Sequence, residues 1–257
     1  MFTVSSSAQN IEQRKAGMSL SEEELIDKAM EALHIDESKT GFVVAEVYPS
    51  NSKETIIVIE EIAKEEEGSS ESYSHIVIIE NTTGKITHKY FESSETNGWE
   101  SDAIFMDNIT IDTLTYKLNA SENAFGAKVR FRNNSQPNPY NYETISLFTK
   151  EKNSLKKILD FYTLYEDWGE VNVNSCYAAF DKTVNTLSMS DIKTNGYNDI
   201  LVKHTFSKII YEEDKNGDCN PKELSVTTEK RILKFNGEVY EEEKEFKEKI
   251  NHQKENN

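Results

Sequence analysis

Apolar positions along the chain follow one period at the start and another through most of what comes after. Leu25, Ile26, Ala29, Met30 and Leu33 recur at helical spacing and predict one amphipathic helix over about 20–34. Ser21 followed three residues later by Glu24 forms a capping box, and the acids Glu22, Glu23 and Glu24 complement the positive end of the helix dipole.

After Gly41 the period falls from 3.6 to 2. Residues 42–48 and 55–59 are β-branched runs separated by Pro49, Ser50 and Asn51. Residues 74–79 and 85–91 flank Asn81-Thr82-Thr83-Gly84, a turn whose final glycine suits a positive φ. The charged, Ser-rich stretch 64–72 reads as a loop between strands. Alternation continues at 109–116 and 127–132, and further strands are expected near 143–149, 156–165, 176–190, 198–211 and 224–235. Pro137 and Pro139 mark a loop at 133–141, and Asn195-Gly196, Asn216-Gly217 and Asn236-Gly237 mark turns. Without helical insertions these strands do not form βαβ units. The expected fold is mainly β, with antiparallel sheets in a propeller-like or sandwich arrangement and one N-terminal α-helix. Residues 1–18 read as disordered or as a signal-peptide remnant, 19–240 as a single domain and 241–257 as a flexible charged tail.

Charge changes the picture of function more than of fold. Lys and Arg number 29 against 46 Asp and Glu, so the net charge is −17. A nucleic-acid binder needs a basic face to neutralise phosphates, and this balance points the other way. No run of about 18 apolar residues exists to form a spanning helix. Much of the acid falls at the helix start, in 64–72 and in the tail, where solvation accounts for it.

The compartment is read from the first ten residues and the cysteines. Met1-Phe2-Thr3-Val4 followed by small residues up to Ala8-Gln9 reads like the end of a secretory signal peptide. The expectation is a periplasmic or secreted protein; a polar N-terminus on a cytoplasmic protein is the alternative. Cys176 and Cys219 admit one disulfide or two free thiols.

Chemistry-bearing motifs are few. Asp214, Asn216 and Asp218 alternate as in positions 1, 3 and 5 of a calcium loop; no cofactor is expected, with calcium as the alternative. The glycine stands fourth rather than sixth and position 12 is Ser225, so a hydrophilic Asn-Gly hairpin competes with that reading. The five histidines lack zinc-ligand spacing, although His75 and His88 fall where they can face each other across the Asn81–Gly84 hairpin. Trp99 with Glu100, and Trp168 with Asp167, sit beside glycines in expected loops. Such tryptophans serve as interface anchors or plug the end of a β core, and the flanking acids suit a basic protein partner.

The segment Asp191-Ile192-Lys193-Thr194-Asn195-Gly196-Tyr197-Asn198-Asp199-Ile200-Leu201-Val202 resembles the Asp-x-Asn-x-Asp-Gly-Tyr-x-Asp-Leu-x-Val signature of FG-GAP/VCBS-type blades in β-propellers. Such blades also occur in propeller-like bacterial toxin-immunity proteins related to periplasmic lysozyme inhibitors. Lys193 and Thr194 stand where the signature carries acidic or amide ligands, and Leu233 to Tyr240 is similar to the closing hairpin of those domains. The resemblance implies a blade-like β domain with a binding role. The expected function is a non-enzymatic exported binding module that recognises another protein, of inhibitor or immunity type. An envelope carbohydrate-handling or hydrolytic enzyme using paired carboxylates is the alternative.

Overall fold

A computed structural model describes residues 19–243. The expected signal-peptide remnant and all but the first residues of the expected tail lie outside that span. The elements are α1 (Glu22–Leu33), β1 (Thr40–Val47), β2 (Glu54–Glu66), β3 (Ser69–Glu80), β4 (Ile86–Glu92), a single turn α2 (Ser94–Asn97) and β5 (Glu100–Ser101). They continue with β6 (Ile104–Lys117), β7 (Asn123–Asn133), β8 (Tyr140–Glu151), β9 (Ser154–Val171), β10 (Ala178–Thr194), β11 (Tyr197–Glu213), β12 (Cys219–Phe235) and β13 (Tyr240–Glu242).

The protein is thus mainly β, as its alternation predicts. Two antiparallel meanders, β1–β4 and β6–β13, join through one parallel bridge between Lys89 of β4 and Ser154 of β9. The Ser21 cap is present in both halves: the Glu24 amide donates to Ser21 Oγ at 3.2 Å, and the Ser21 amide donates to the Glu24 carboxylate at 2.8 Å.

Packing follows from which strand faces are apolar. On β2 and β3, Ile57, Ile59, Val77 and Ile79 pack against Leu25 and Ala29 of α1. The alternate residues Ile56, Val58, Ile76 and Ile78 face the opposite way, onto Phe125, Val129, Phe131 and Phe148 of the second meander. Strands covered on both sides read as unbroken apolar runs, which is why 56–59 and 76–79 do not alternate. The second meander is also covered twice. Ala124, Ile145 and Leu147 turn from the Phe125 face toward Ile200, Val202, Leu233, Phe235 and Tyr240 on the inner ends of β11, β12 and β13. The order through the molecule is therefore helix, sheet, sheet, sheet.

Several local expectations differ from this structure. Residues 64–72 are not a loop: β2 and β3 run on as a charged hairpin, pairing Lys64 with Glu71 and Glu66 with Ser69. Charged side chains on both faces hide a strand from a periodicity argument, because no face needs burial. His75 and His88 do not meet, since register sets His75 opposite Phe91 and His88 opposite Ile78. The chain after Tyr240 also stays ordered to Glu242, because Leu233, Lys234 and Phe235 pair with β13.

Phe125 is buried to 1 % exposure between the two meanders and stacks on Phe148 with centroids 5.9 Å apart. Phe125→Ala is expected to cost about 3–5 kcal/mol in urea unfolding. A loss below about 1 kcal/mol would show that this interface does not hold the layers together.

Candidate functional site

Strands β9 to β12 are each 17 or 18 residues long, longer than the cores they feed. Their inner halves build the third apolar cluster. Their outer halves continue past it as a four-stranded arm, in which β12 is exposed from Cys219 to Lys230. Among the described residues, half of the ten exposed large hydrophobic side chains lie on this arm: Trp168, Val173, Tyr177, Leu224 and Val226.

Register defines the two faces of the arm. Trp168 lies opposite Tyr140 of β8 on one side and Asp181 of β10 on the other, and Asp181 lies opposite Lys208 of β11. Residues directly opposite each other share a face, as do residues two apart along a strand. Glu166, Trp168 and Glu170 therefore stand in a row on one face of β9. Around that row lies a groove of about 900 Å³, lined also by Tyr140, Tyr177, Asp181, Lys208, Ile210 and Leu224. The Tyr140 hydroxyl donates to the Glu166 carboxylate at 2.8 Å, and Lys208 pairs with Asp181 at 3.4 Å.

Two local devices hold this end of the arm. A Cβ on Gly169 would lie 2.5 Å from both the Ala179 carbonyl oxygen and the Phe180 ring. Glycine thus lets Phe180 close over the back of the groove. Cys176 and Cys219 are bonded, with Cα atoms 5.5 Å apart. Ala178 pairs with Tyr211, which pairs with Pro221, so β11 stands between the two cysteine-bearing segments. Flat strands would hold them about 10 Å apart. The β9–β10 connection therefore curls across the end of β11, bringing Tyr177 and Leu224 to the same groove.

The residues singled out in the sequence separate here. Trp99 is 5 % exposed and packs in the core between the meanders, so it is the plug and not the anchor. Asn97 fixes it: Asn97 Oδ1 accepts from the Trp99 amide and Asn97 Nδ2 donates to the Ser72 carbonyl. Glu100 is exposed in β5, opposite Glu71. Trp168 is 41 % exposed and lies in a strand, not a loop. Asp167 points to the other face of the arm, opposite Lys182, beside Tyr165, Phe180 and Tyr211. Sequence adjacency paired the wrong acid with Trp168. The acids that share its face are Glu166 and Glu170, two positions away, and the period of 2 was the signal that finds them once this segment is known to be a strand.

Asp214, Asn216 and Asp218 form the β11–β12 turn. Asp214 Oδ1 accepts from the Asn216 and Asp218 amides at 2.8 and 3.0 Å, and Oδ2 accepts from Asn220 Nδ2 at 3.1 Å. The carboxylate serves as a side-chain cap of the hairpin. Within the Asp191–Val202 segment, Asn195-Gly196 forms the β10–β11 turn with φ of 50° and 89°, and Asn195 Nδ2 donates to the Phe235 carbonyl. Asp199 is buried, with one carboxylate oxygen lacking a hydrogen-bond partner.

Inward of the groove, between it and the third core, lies a polar belt. His204 Nδ1 is 2.8 Å from Asn185 Oδ1, while Asn185 Nδ2 donates to the Thr163 carbonyl. That orientation makes the His204 Nδ1–H the donor. Arg231 stands 3.7 Å from both Glu229 and Glu242, and Tyr162 donates to Glu242 at 3.2 Å. Burial, then the Arg231 guanidinium, hold the His204 pKa below its usual 6.5. Neutral His204 therefore costs nothing above pH 6.5, whereas the unfolded chain gains a proton first as pH falls below it. Stability is expected to decline from pH 6.5 downward through the folded pKa. NMR titration should place the His204 midpoint below 6.5 and move it upward in Arg231→Gln. A midpoint above 6.5 contradicts this account of the belt.

Comparisons with protein-family models, with curated proteins and with solved structures found no match for the chain. Among the described residues no helix is long and apolar enough to cross a membrane.

Proposed function

We propose that this protein is an exported, non-enzymatic binding module that recognises another protein through the groove face of its arm. The observation that carries the reading is the groove itself, in which exposed aromatic and aliphatic side chains are ringed by acids on strands that extend past the cores. Interfaces have this anatomy, an apolar centre rich in Trp and Tyr with a polar rim. The bond between Cys176 and Cys219 supports an oxidising compartment, periplasmic or secreted. The blade-like Asp191–Val202 hairpin adds an inhibitor or immunity type of role as the kind of binding expected.

The groove acids also favour charge display over acid–base chemistry. Glu166 is engaged by the Tyr140 hydroxyl and Asp181 by Lys208. A glycosidase working by paired carboxylates would instead need two of them poised on opposite sides of one reacting bond.

Capture from the envelope and secreted proteins of the source organism at low salt tests the reading. Wild-type protein is expected to retain a partner that Trp168→Ala retains at least tenfold more weakly, and raised salt should weaken retention further. Chelation of calcium should leave retention unchanged, because N–H donors already occupy the Asp214 carboxylate. No partner at low salt, or equal retention by Trp168→Ala, overturns the proposal.

A further inference from the structure

The row Glu166-Trp168-Glu170 says more about the partner than that it is a protein. Alternate residues on a strand lie about 6.6–7 Å apart, so the two carboxylates flank the indole at roughly the reach of one extended cationic side chain. We propose that this row is a seat for an arginine or lysine side chain of the partner, its cation lying over the Trp168 ring between Glu166 and Glu170. The inference rests on the binding-module reading and names the chemistry that the groove recognises.

Three observations converge on it. The first is the ring. Indole is the strongest cation–π partner among the side chains, and an exposed Trp168 presents its surface to solvent. Other aromatics of the same arm already carry cations of this chain: Lys182 Nζ lies 5.2 Å from the Tyr165 centroid, and Lys208 Nζ lies 5.8 Å from the Phe206 centroid. Among the described residues no Lys or Arg stands over Trp168.

The second is the distribution of charge. The groove holds three carboxylates, Glu166, Glu170 and Asp181, against one cation, Lys208, and Lys208 is turned to Asp181. Negative charge therefore remains beside Trp168. The Tyr140 hydroxyl fixes one Glu166 oxygen by donation at 2.8 Å, which orients the carboxylate without neutralising it. The third is reach. Tyr177 and Leu224 at the outer rim, with Ile210 on the floor, leave apolar surface for the methylene stem of a long side chain. Arginine suits the seat better than lysine, because its planar guanidinium stacks on an aromatic face while donating to carboxylates at its edge.

The test uses the full chain and a short Gly-Ser peptide carrying two arginines, followed by the indole Nε1–H resonance of Trp168. Trp99→Phe assigns the two indole signals. The arginine peptide is expected to shift the Trp168 signal saturably, and its citrulline counterpart, isosteric but uncharged, to bind at least tenfold more weakly. Glu170→Gln should weaken arginine-peptide binding several-fold and Glu170→Lys should abolish it, with the near-ultraviolet circular dichroism of both variants matching wild type. Lysine in place of arginine should bind, more weakly. Equal affinity for arginine and citrulline peptides, or binding insensitive to Glu170→Lys, overturns the seat. A partner captured in a Trp168-dependent but arginine-insensitive manner would overturn the seat while leaving the binding-module reading in place. Absence of any captured partner strikes at that reading instead.

Discussion

An 18-residue strand has to find neighbours along its whole length, and β9 does so by keeping β8 on one side and gaining a new partner on the other half-way along. β8 pairs with it from Ser154 to Trp168, while on the other side β10 joins only the outer half, from Tyr165 to Val171. The change is made at Phe161, a non-glycine residue with φ of 45°, around which the register with β8 shifts. A side chain held there costs on the order of 1–3 kcal/mol. The Phe161 ring offsets this by packing into the core between the meanders, 5.8 Å from Phe131 and against Gly98, while its amide donates to Ser146 Oγ. Bulges re-aim strands in this way, and here the bulge sends the rest of β9 outward.

Everything assigned to function stands on that outward half. The main apolar clusters of the body are covered, by α1 on one side and by the inner ends of β11 to β13 on the other. The arm has no such cover, so its stability comes from ladder hydrogen bonds, from Phe180 closing over Gly169 and from the Cys176–Cys219 link at its tip. An arm built this way can present a wide, shallow face at little cost to the core. Acids share a face with an exposed aromatic side chain beside Trp168, whereas Glu22–Glu24 cap a helix start.

Local chemistry was legible in the sequence and long-range placement was not. The Ser21 cap and its helix follow from residues within one turn, and the Asn195-Gly196, Asn216-Gly217 and Asn236-Gly237 turns follow from backbone preferences of single residues. The continuous runs at 56–59 and 76–79 announced strands, but only packing reveals that two different layers cover them. Trp99 and Trp168 have similar neighbours in sequence, yet one is buried by Ile76 and Phe131 and the other stands in the open. No local rule separates them, because burial depends on which distant strands pack over each segment. The pairing of Trp168 with Asp167 failed for a simpler reason: the segment is a strand, and a strand sends adjacent residues to opposite faces.

The central claim, that the groove face of the arm is where a partner sits, is tested most directly by hydrogen exchange of the protein alone and in complex with a captured partner. Protection gained on binding is expected in 166–170, 177–181 and 206–210, with α1 and β1 unchanged. Protection confined to α1, to the β1 edge or to the charged β2–β3 hairpin, with the arm unaltered, would contradict the account.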